Sequence, residues 1–437
     1  MTSPGDPRGS TPLVYLDHAS TTPLSPVALE AMLPYLTHSF GNPSGPHATA
    51  RAARRALDDA RDTLAEALGC QPGEVVFTSG GTEADNLAVL GTVRGAGARG
   101  GAGSGGPAAA GAADAGGTGG AGSAAVLVSA VEHKAVLAPC KLAGGEILPV
   151  QPDGRLDPEV LAEALERRGN EVVLVSVMLA NNETGVVEDL PAIVETVRRL
   201  APRALVHTDA VHAFPWLDVA TLAAGCDLVS ISAHKFGGPK GAGVLVVRRG
   251  APPRLQPLVH GGGQEAGIRP GTQNVAAAVA MAAAAGEVVR ERQATVRRVA
   301  TLRDRLADGI LASCPEASEP APRPLRTAAN CHLSFEGLDG EELCYLLDDA
   351  GLAASTGSSC SSGATEPSHV LEAMGFEPSR ARGALRLTLG TTTTAGEVAR
   401  ALEIVPRAVE RLRAAEPPTR RAEPPTRRAE PPTRRAG

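Results

Sequence analysis

The chain has 437 residues, enough for two or three ordinary domains and far more than a small disulfide-stapled module needs. Its 43% apolar and 21% charged residues exclude a wholly disordered chain, and a net charge of -6 provides no overall field for nucleic acid or an anionic membrane. Seven cysteines, at 70, 140, 226, 314, 331, 344 and 360, form no C-x-x-C pair and leave an odd thiol, so neither a disulfide framework nor a zinc cage is indicated and a reducing compartment fits best.

The opening stretch MTSPGDPRGSTPLVYLDHAS holds no apolar run long enough for a signal peptide, and nothing approaches the ~18 apolar residues of a membrane helix. A cytoplasmic protein with no membrane partner and no direct nucleic-acid partner is expected. Short apolar runs then alternate with helical patterns: VVFTS at 75, AVLVS at 125, EVVLVSV at 171, ALVHTD at 204, DLVSIS at 227 and GVLVV at 243. That rhythm predicts an α/β fold whose largely parallel sheet is covered by helices, with the polar residues at the strand carboxyl ends lining a ligand crevice. Between the first two runs, residues 95–125 carry almost no large apolar side chain and read as a flexible Gly/Ala surface insertion. After about residue 275 an Ala-rich run reads as a long helix leading into a second domain, with the strand NCHLSF, the helix EELCYLLDDAG closed by Gly351, and the strand ALRLTLG. From Glu416 onward the sequence repeats EPPTRRA, whose paired prolines exclude a coiled coil and predict an extended tail.

Only four lysines occur, Lys134, Lys141, Lys235 and Lys240, and where an amine must lose its proton arginine cannot substitute. VVFTS runs into Gly80-Gly81-Thr82-Glu83 and a helical pattern, which reads either as a tight turn or as a phosphate cradle made from helix-start N–H groups and the Thr82 hydroxyl. Neither a P-loop lysine-serine pair nor a G-x-G-x-x-G run accompanies it, which disfavours nucleoside triphosphates and dinucleotides. ALVHTD ends at Asp209, while DLVSIS runs directly into Ala233-His234-Lys235-Phe236-Gly237-Gly238-Pro239-Lys240. A lysine just past a buried strand, beside a carboxylate on a neighbouring strand end, suits either a structural ion pair or pyridoxal phosphate. That cofactor needs an amine for a Schiff base and an acid for its ring nitrogen.

The motifs YLDHASTTP, GNPSGPH, FTSGGTEADN, EHKAVL, NNETGVV, HTDAVHA, SAHKFGGPKGAG, HGGGQEAGIRPGT, STGSSCSSG and ALRLTLG together resemble the cysteine desulfurases of the NifS/IscS type. These are pyridoxal phosphate enzymes of the class V aminotransferase group. The motifs follow family order from about residue 14 to residue 410, leaving only the insertion and the tail uncovered. The resemblance implies the fold type I of pyridoxal phosphate-dependent transferases: a large domain over 23–275 with a mostly parallel seven-stranded sheet, and a smaller α+β domain over 276–415 that carries the Cys360 loop. An N-terminal segment, 1–22, would pack with the smaller domain, and 416–437 would form a disordered tail.

It implies further that Lys235 carries the cofactor and removes the substrate α-proton, that His133 stacks on the ring and moves protons, and that Asp209 keeps the ring nitrogen protonated so that the ring acts as an electron sink. Asn182 would contact the phenolic oxygen. Gly81, Thr82, Ser232 and His234 would hold the phosphate, with Thr272 of RPGT reaching it from the second subunit of a homodimer. Asn42 and Arg386 would bind the substrate L-cysteine, the planar guanidinium suiting its α-carboxylate. Cys360 lies among small polar residues, and a thiol on such a loop ionises and swings more readily than a buried one. By resemblance it takes the sulfur as a persulfide while cysteine becomes L-alanine, and delivers it to an iron-sulfur scaffold protein or another acceptor; as a metal ligand it would act only transiently, toward an iron-sulfur centre. One departure stands out: His212 occupies the position of a glutamine that contacts the phenolic oxygen, and a histidine that loses its proton near neutrality would shift the pH optimum. Alternatives on the same fold are an enzyme for selenocysteine or cysteine sulfinate, a class V aminotransferase, or a catalytically weak sulfur-carrier subunit.

Overall fold

The computed structural model describes residues 13–100, 124–248, 255–357 and 367–415. After the short strand β1 (Val14–Tyr15) come β2 (Val75–Thr78), β3 (Ala125–Ser129), β4 (Glu146–Leu148), β5 (Val172–Ser176), β6 (Leu205–Asp209), β7 (Leu228–Ser232) and β8 (Gly243–Val247). Strands β2 to β8 form one seven-stranded sheet in the order β2-β8-β7-β6-β5-β3-β4, in which only β8 runs antiparallel to its neighbours. Both faces are buried. Val126 and Val128 share a core with Leu87 and Val136, while Leu127, one position out of phase, shares another with Leu64 and Leu161. Two-sided burial is the reason these strands read as continuous apolar runs instead of alternating ones.

The helix Gly81–Gly100 runs through the first six residues of the segment expected to be a loose insertion. Ala84, Leu87, Ala88 and Val89 bury the front of that helix, and once a packed turn exists each added residue gains a hydrogen bond, so helix propagates into weak formers. Residues 101–123 and the EPPTRRA repeat from Glu416 lie outside the described residues.

The 39-residue helix Val275–Ser313 starts on Asn274, whose side-chain oxygen accepts the Ala277 N–H at 3.1 Å. Ala277 to Val288 belong to the core of the large sheet, whereas Val299, Leu306 and Ile310 belong to a second core, so the passage between cores falls inside one helix. Beyond it lie β9 (Ala317–Ser318), β10 (Asn330–Phe335), β11 (Leu352–Ala353) and β12 (Ala384–Thr388). β12, β10 and β9 form an antiparallel sheet, and β1 pairs in parallel with β11, placing Val14 and Leu16 in the second core. Strand alternation turns Cys331, Leu333, Phe335, Leu385 and Leu387 into that core. Arg386, between two of them, faces the opposite way, toward the carboxyl edge of the large sheet.

Candidate active site

At that edge one cavity of about 290 Å³ gathers Gly81, Thr82, His133, Asn182, Asp209, His212, Ser232, His234, Lys235 and Arg386. Ten residues that sequence reasoning selected from six separate segments thus face a single space. Strand ends place most of them: Asp209 closes β6, Ser232 closes β7, and His234 and Lys235 follow in a short 3-10 turn. Gly81 opens the helix beyond β2, and a Cβ there would lie 2.8 Å from Val211 Cγ2, so this corner of the cavity needs the bare backbone. Asn42 and Thr272 are exposed and lie outside the cavity of this chain; the Asn42 side chain accepts the Ser44 N–H at 3.0 Å and shapes its own turn. Cys360 lies outside the described residues, although Gly357, three residues before it, lines the cavity.

The charged groups are held by neighbours that set their protonation. The Lys235 amine donates to the backbone carbonyls of Ala19 and, at 3.1 Å, Ser20. Burial pushes the Asp209 carboxyl above the usual carboxylate range, while His133, the Val211 N–H at 2.8 Å and Lys235 oppose that rise. His133 caps the helix Lys134–Leu142: its Nδ1 accepts the Ala135 N–H at 3.1 Å, so the neutral ring keeps its proton on Nε2. Burial lowers its pKa, with Asp209 pulling the other way. Arg386 is almost wholly buried and donates to Asp17 Oδ1 and Ser20 Oγ, each at 2.8 Å, and to the Asn182 carbonyl at 3.1 Å.

His212 departs from the expectation placed on it. Burial holds its pKa down at about 3, against the opposing effect of a 2.8 Å bond to Asn330. The Asn330 amide donates to the Glu183 carbonyl at 3.3 Å and its oxygen accepts the Thr327 hydroxyl at 2.7 Å, so His212 Nε2 is the donor to that oxygen and Nδ1 carries the lone pair. A histidine neutral from pH 4 upward does not titrate near neutrality. Burial likewise brings His234 to about 4, with Lys235 and Lys240 adding to the effect.

Two cavity-side acids escaped the sequence reading. Asp85 lines the cavity, and Glu132 is fully buried one residue before His133. Burial, reinforced by the charge of Asp209, pushes both well above the ordinary carboxylate range. Asp85 Oδ1 and Glu132 Oε2 have no hydrogen-bond partner. A signal existed for Asp85: it sits on a helix face whose neighbours Ala84, Leu87 and Ala88 are all buried.

A pyridine aldehyde phosphate needs an amine, a carboxyl for its ring nitrogen, and donors for a dianion. Lys235 and Asp209 supply the first two within one cavity. The Thr82 and Ser232 hydroxyls, His234 and the N-terminus of a 20-residue helix supply the third. The donor set fits. Among the described residues no group of three or more His, Cys, Asp or Glu is arranged to hold a metal ion, and no helix is long and apolar enough to cross a membrane.

A family model described as "Aminotransferase class-V" matches residues 14–102 and 107–401. The IscS-like cysteine desulfurase of Mycobacterium tuberculosis is 41% identical over 401 residues, spanning 90% of this chain and 95% of that protein. A solved NifS-like protein superposes with a TM-score of 0.80 at 29% identity, covering 92% of this chain and all of the other. The structure of SspA in complex with cysteine superposes with a TM-score of 0.70 at 28% identity, over 87% and 99% of the two chains.

Proposed function

The chain belongs to the class-V aminotransferases, among the cysteine desulfurases of the NifS/IscS type, and from that membership we propose that it binds pyridoxal phosphate at Lys235 and converts L-cysteine to L-alanine, leaving the sulfur on Cys360 as a persulfide. One observation carries the reading: Lys235, Asp209 and Arg386 open into the same cavity as Gly357, and three residues of chain reach at most about 11 Å, so Cys360 is tethered within that distance of the site. When bound, pyridoxal phosphate supplies a sink for the electrons released at the substrate α-carbon.

The residues of this chain do the rest. Asp209 holds the negative charge that pairs with a protonated ring nitrogen. Lys235, once released from the Ala19 and Ser20 carbonyls, takes the α-proton. Arg386 exchanges Asp17 and Ser20 for the substrate carboxylate, a planar two-oxygen partner for its fork. His133 offers a proton from Nε2. The Cys360 thiolate then bonds to the substrate sulfur as the bond from that sulfur to Cβ breaks; the electron pair stays with carbon, which is protonated to give alanine. L-cysteine and a thiol become L-alanine and a persulfide, with no external oxidant. Burial raises the pKa of the six described thiols, to about 11 for Cys70 and Cys140 and about 12 for Cys226, Cys331 and Cys344, so none of them competes as a nucleophile.

A homodimer accounts for two features the single chain leaves open. Thr272 reaches the phosphate from the second copy, and Leu29, Leu33, Leu36 and Phe40, the last 74% exposed, gain an apolar partner. The sulfur passes on to an iron-sulfur scaffold protein or a comparable acceptor.

The test is chemical. The purified protein should absorb as a pyridoxal phosphate enzyme, Lys235→Ala should lose borohydride-trapped cofactor, and Cys360→Ser should keep the cofactor yet form no alanine from L-cysteine. Undiminished alanine formation by Cys360→Ser would sink the persulfide reading and favour loss of the sulfur substituent without a protein thiol, as with a sulfinate substrate.

A further inference from the structure

We propose that Glu183 is a positioning residue, tying together the two stems of the Cys360 loop and so setting where the acceptor thiol starts its approach. The inference rests on the assignment of Cys360 as sulfur acceptor. Glu183 is 3% exposed, and its Oε2 accepts the Ser368 hydroxyl at 2.5 Å on the downstream stem. On the upstream stem Gly357 approaches the same oxygen so closely that a Cβ there would lie 3.0 Å from it, and its φ of +95° belongs to glycine. One carboxyl oxygen therefore sits where the two stems meet.

Each stem is bonded in turn to the cavity wall. Gly357 N–H donates to Ser355 Oγ at 3.1 Å, and Ser355 exchanges backbone hydrogen bonds with Arg386. Ser368 caps the helix His369–Ala373, and His369 Nε2 donates to the Glu132 carbonyl at 3.0 Å, next to His133. Glu183 is itself rigidly held: its N–H donates to Asn181 Oδ1 at 2.9 Å and its carbonyl accepts from Asn330, one residue after Asn182 of the cavity. Glu183 is not among the residues lining the cavity. The nine residues it brackets, SSCSSGATE, include no large apolar side chain, and their covalent ends are the described Gly357 and Pro367. Displacement of a reacting group by about 1 Å costs up to about a hundredfold in rate.

The experiment separates two steps in the holoenzyme. Exchange of the substrate α-proton in deuterated water needs Lys235 and not the thiol, whereas persulfide formation in a single turnover, read by mass spectrometry, needs both. Glu183→Ala should leave proton exchange within about twofold and slow persulfide formation tenfold or more, in line with a misplaced thiol. Glu183→Gln, which keeps an acceptor oxygen for Ser368, should recover most of the rate, and Ser368→Ala should show the same selective loss in milder form. Equal loss in both steps, or none in either, overturns the assignment. Alanine formation by Cys360→Ser would instead overturn the reading on which it rests, so the two failures are distinguishable.

Discussion

Glu188 closes the base of the loop that carries Asn182 and Glu183, with its N–H bonded to the Leu179 carbonyl and a bridge between Ala180 and Val187 beside it. Its side chain is buried and accepts the Leu156 N–H at 2.9 Å. Burial pushes the carboxyl from 4.5 up to about 8, against the opposing effects of that N–H and of Arg155. Between those values the folded chain keeps a proton that the unfolded chain has lost, so stability intact below pH 4.5 is lost as pH rises through about 8. At about 1.4 kcal/mol per pH unit, the whole rise is worth about 5 kcal/mol, of which about 3 kcal/mol falls between pH 5 and pH 8. Glu188→Gln keeps the acceptor for Leu156 and cannot ionise. Any cost of burying its extra N–H groups is the same at every pH. Relative to the wild type, the variant should therefore gain about 3 kcal/mol between pH 5 and pH 8. Urea unfolding at the two pH values, followed by fluorescence of Trp216, the single tryptophan, measures that gain directly. Parallel stabilities of the two proteins across the range would refute the reasoning.

Because His212 is held neutral down to about pH 4, the pH profile of kcat/KM should show no inflection that disappears in His212→Gln; an inflection between pH 6 and pH 8 lost in that variant would contradict its burial. Asp85 and Glu132, whose carboxyls burial pushes upward, should tolerate uncharged isosteres: Asp85→Asn and Glu132→Gln should keep cofactor affinity within about threefold, whereas Asp209→Asn should weaken it tenfold or more, at about 1.4 kcal/mol per decade. Equal losses in all three, measured by cofactor titration, would mean that the negative charge is shared among them.

Six of the seven strands of the large sheet were legible because two-sided burial writes them as apolar runs, while β4, a three-residue edge strand with Ile147 exposed, was not. Lys235 and Asp209 needed only strand ends and side-chain chemistry. Burial itself was harder to read. Acidic side chains are rarely buried, so nothing in the letters of VEHK separates Glu132 from solvated neighbours, and Asp85 is marked only by the apolar spacing of Ala84, Leu87 and Ala88 around it. His212 shows the same gap in a different form: its residue type suggests a switch near neutrality, while its tertiary surroundings remove the proton altogether. The resemblance singled out Arg386, yet its partner Asp17 lies 369 residues away in sequence, and no local pattern joins them.

The stretch YLDHASTTP carries a physical role that its letters only label. Asp17 and Ser20 hold the Arg386 guanidinium, while the Ala19 and Ser20 carbonyls hold the Lys235 amine. Thr21 meets His234 at 3.2 Å, and the Ala19 N–H donates to Thr388 Oγ1 at 2.8 Å. Four of the five residues from 17 to 21 thus touch the Arg386 guanidinium, the Lys235 amine or the His234 ring. The same segment is stitched to the second core through β1 and β11. In the proposed reaction Lys235 would leave these carbonyls to reach the substrate, and Arg386, whose Nε has no hydrogen-bond partner, would meet a carboxylate through that atom while loosening its hold on Asp17. Under that proposal both exchanges would loosen one short segment, and so alter how the second core grips the large sheet.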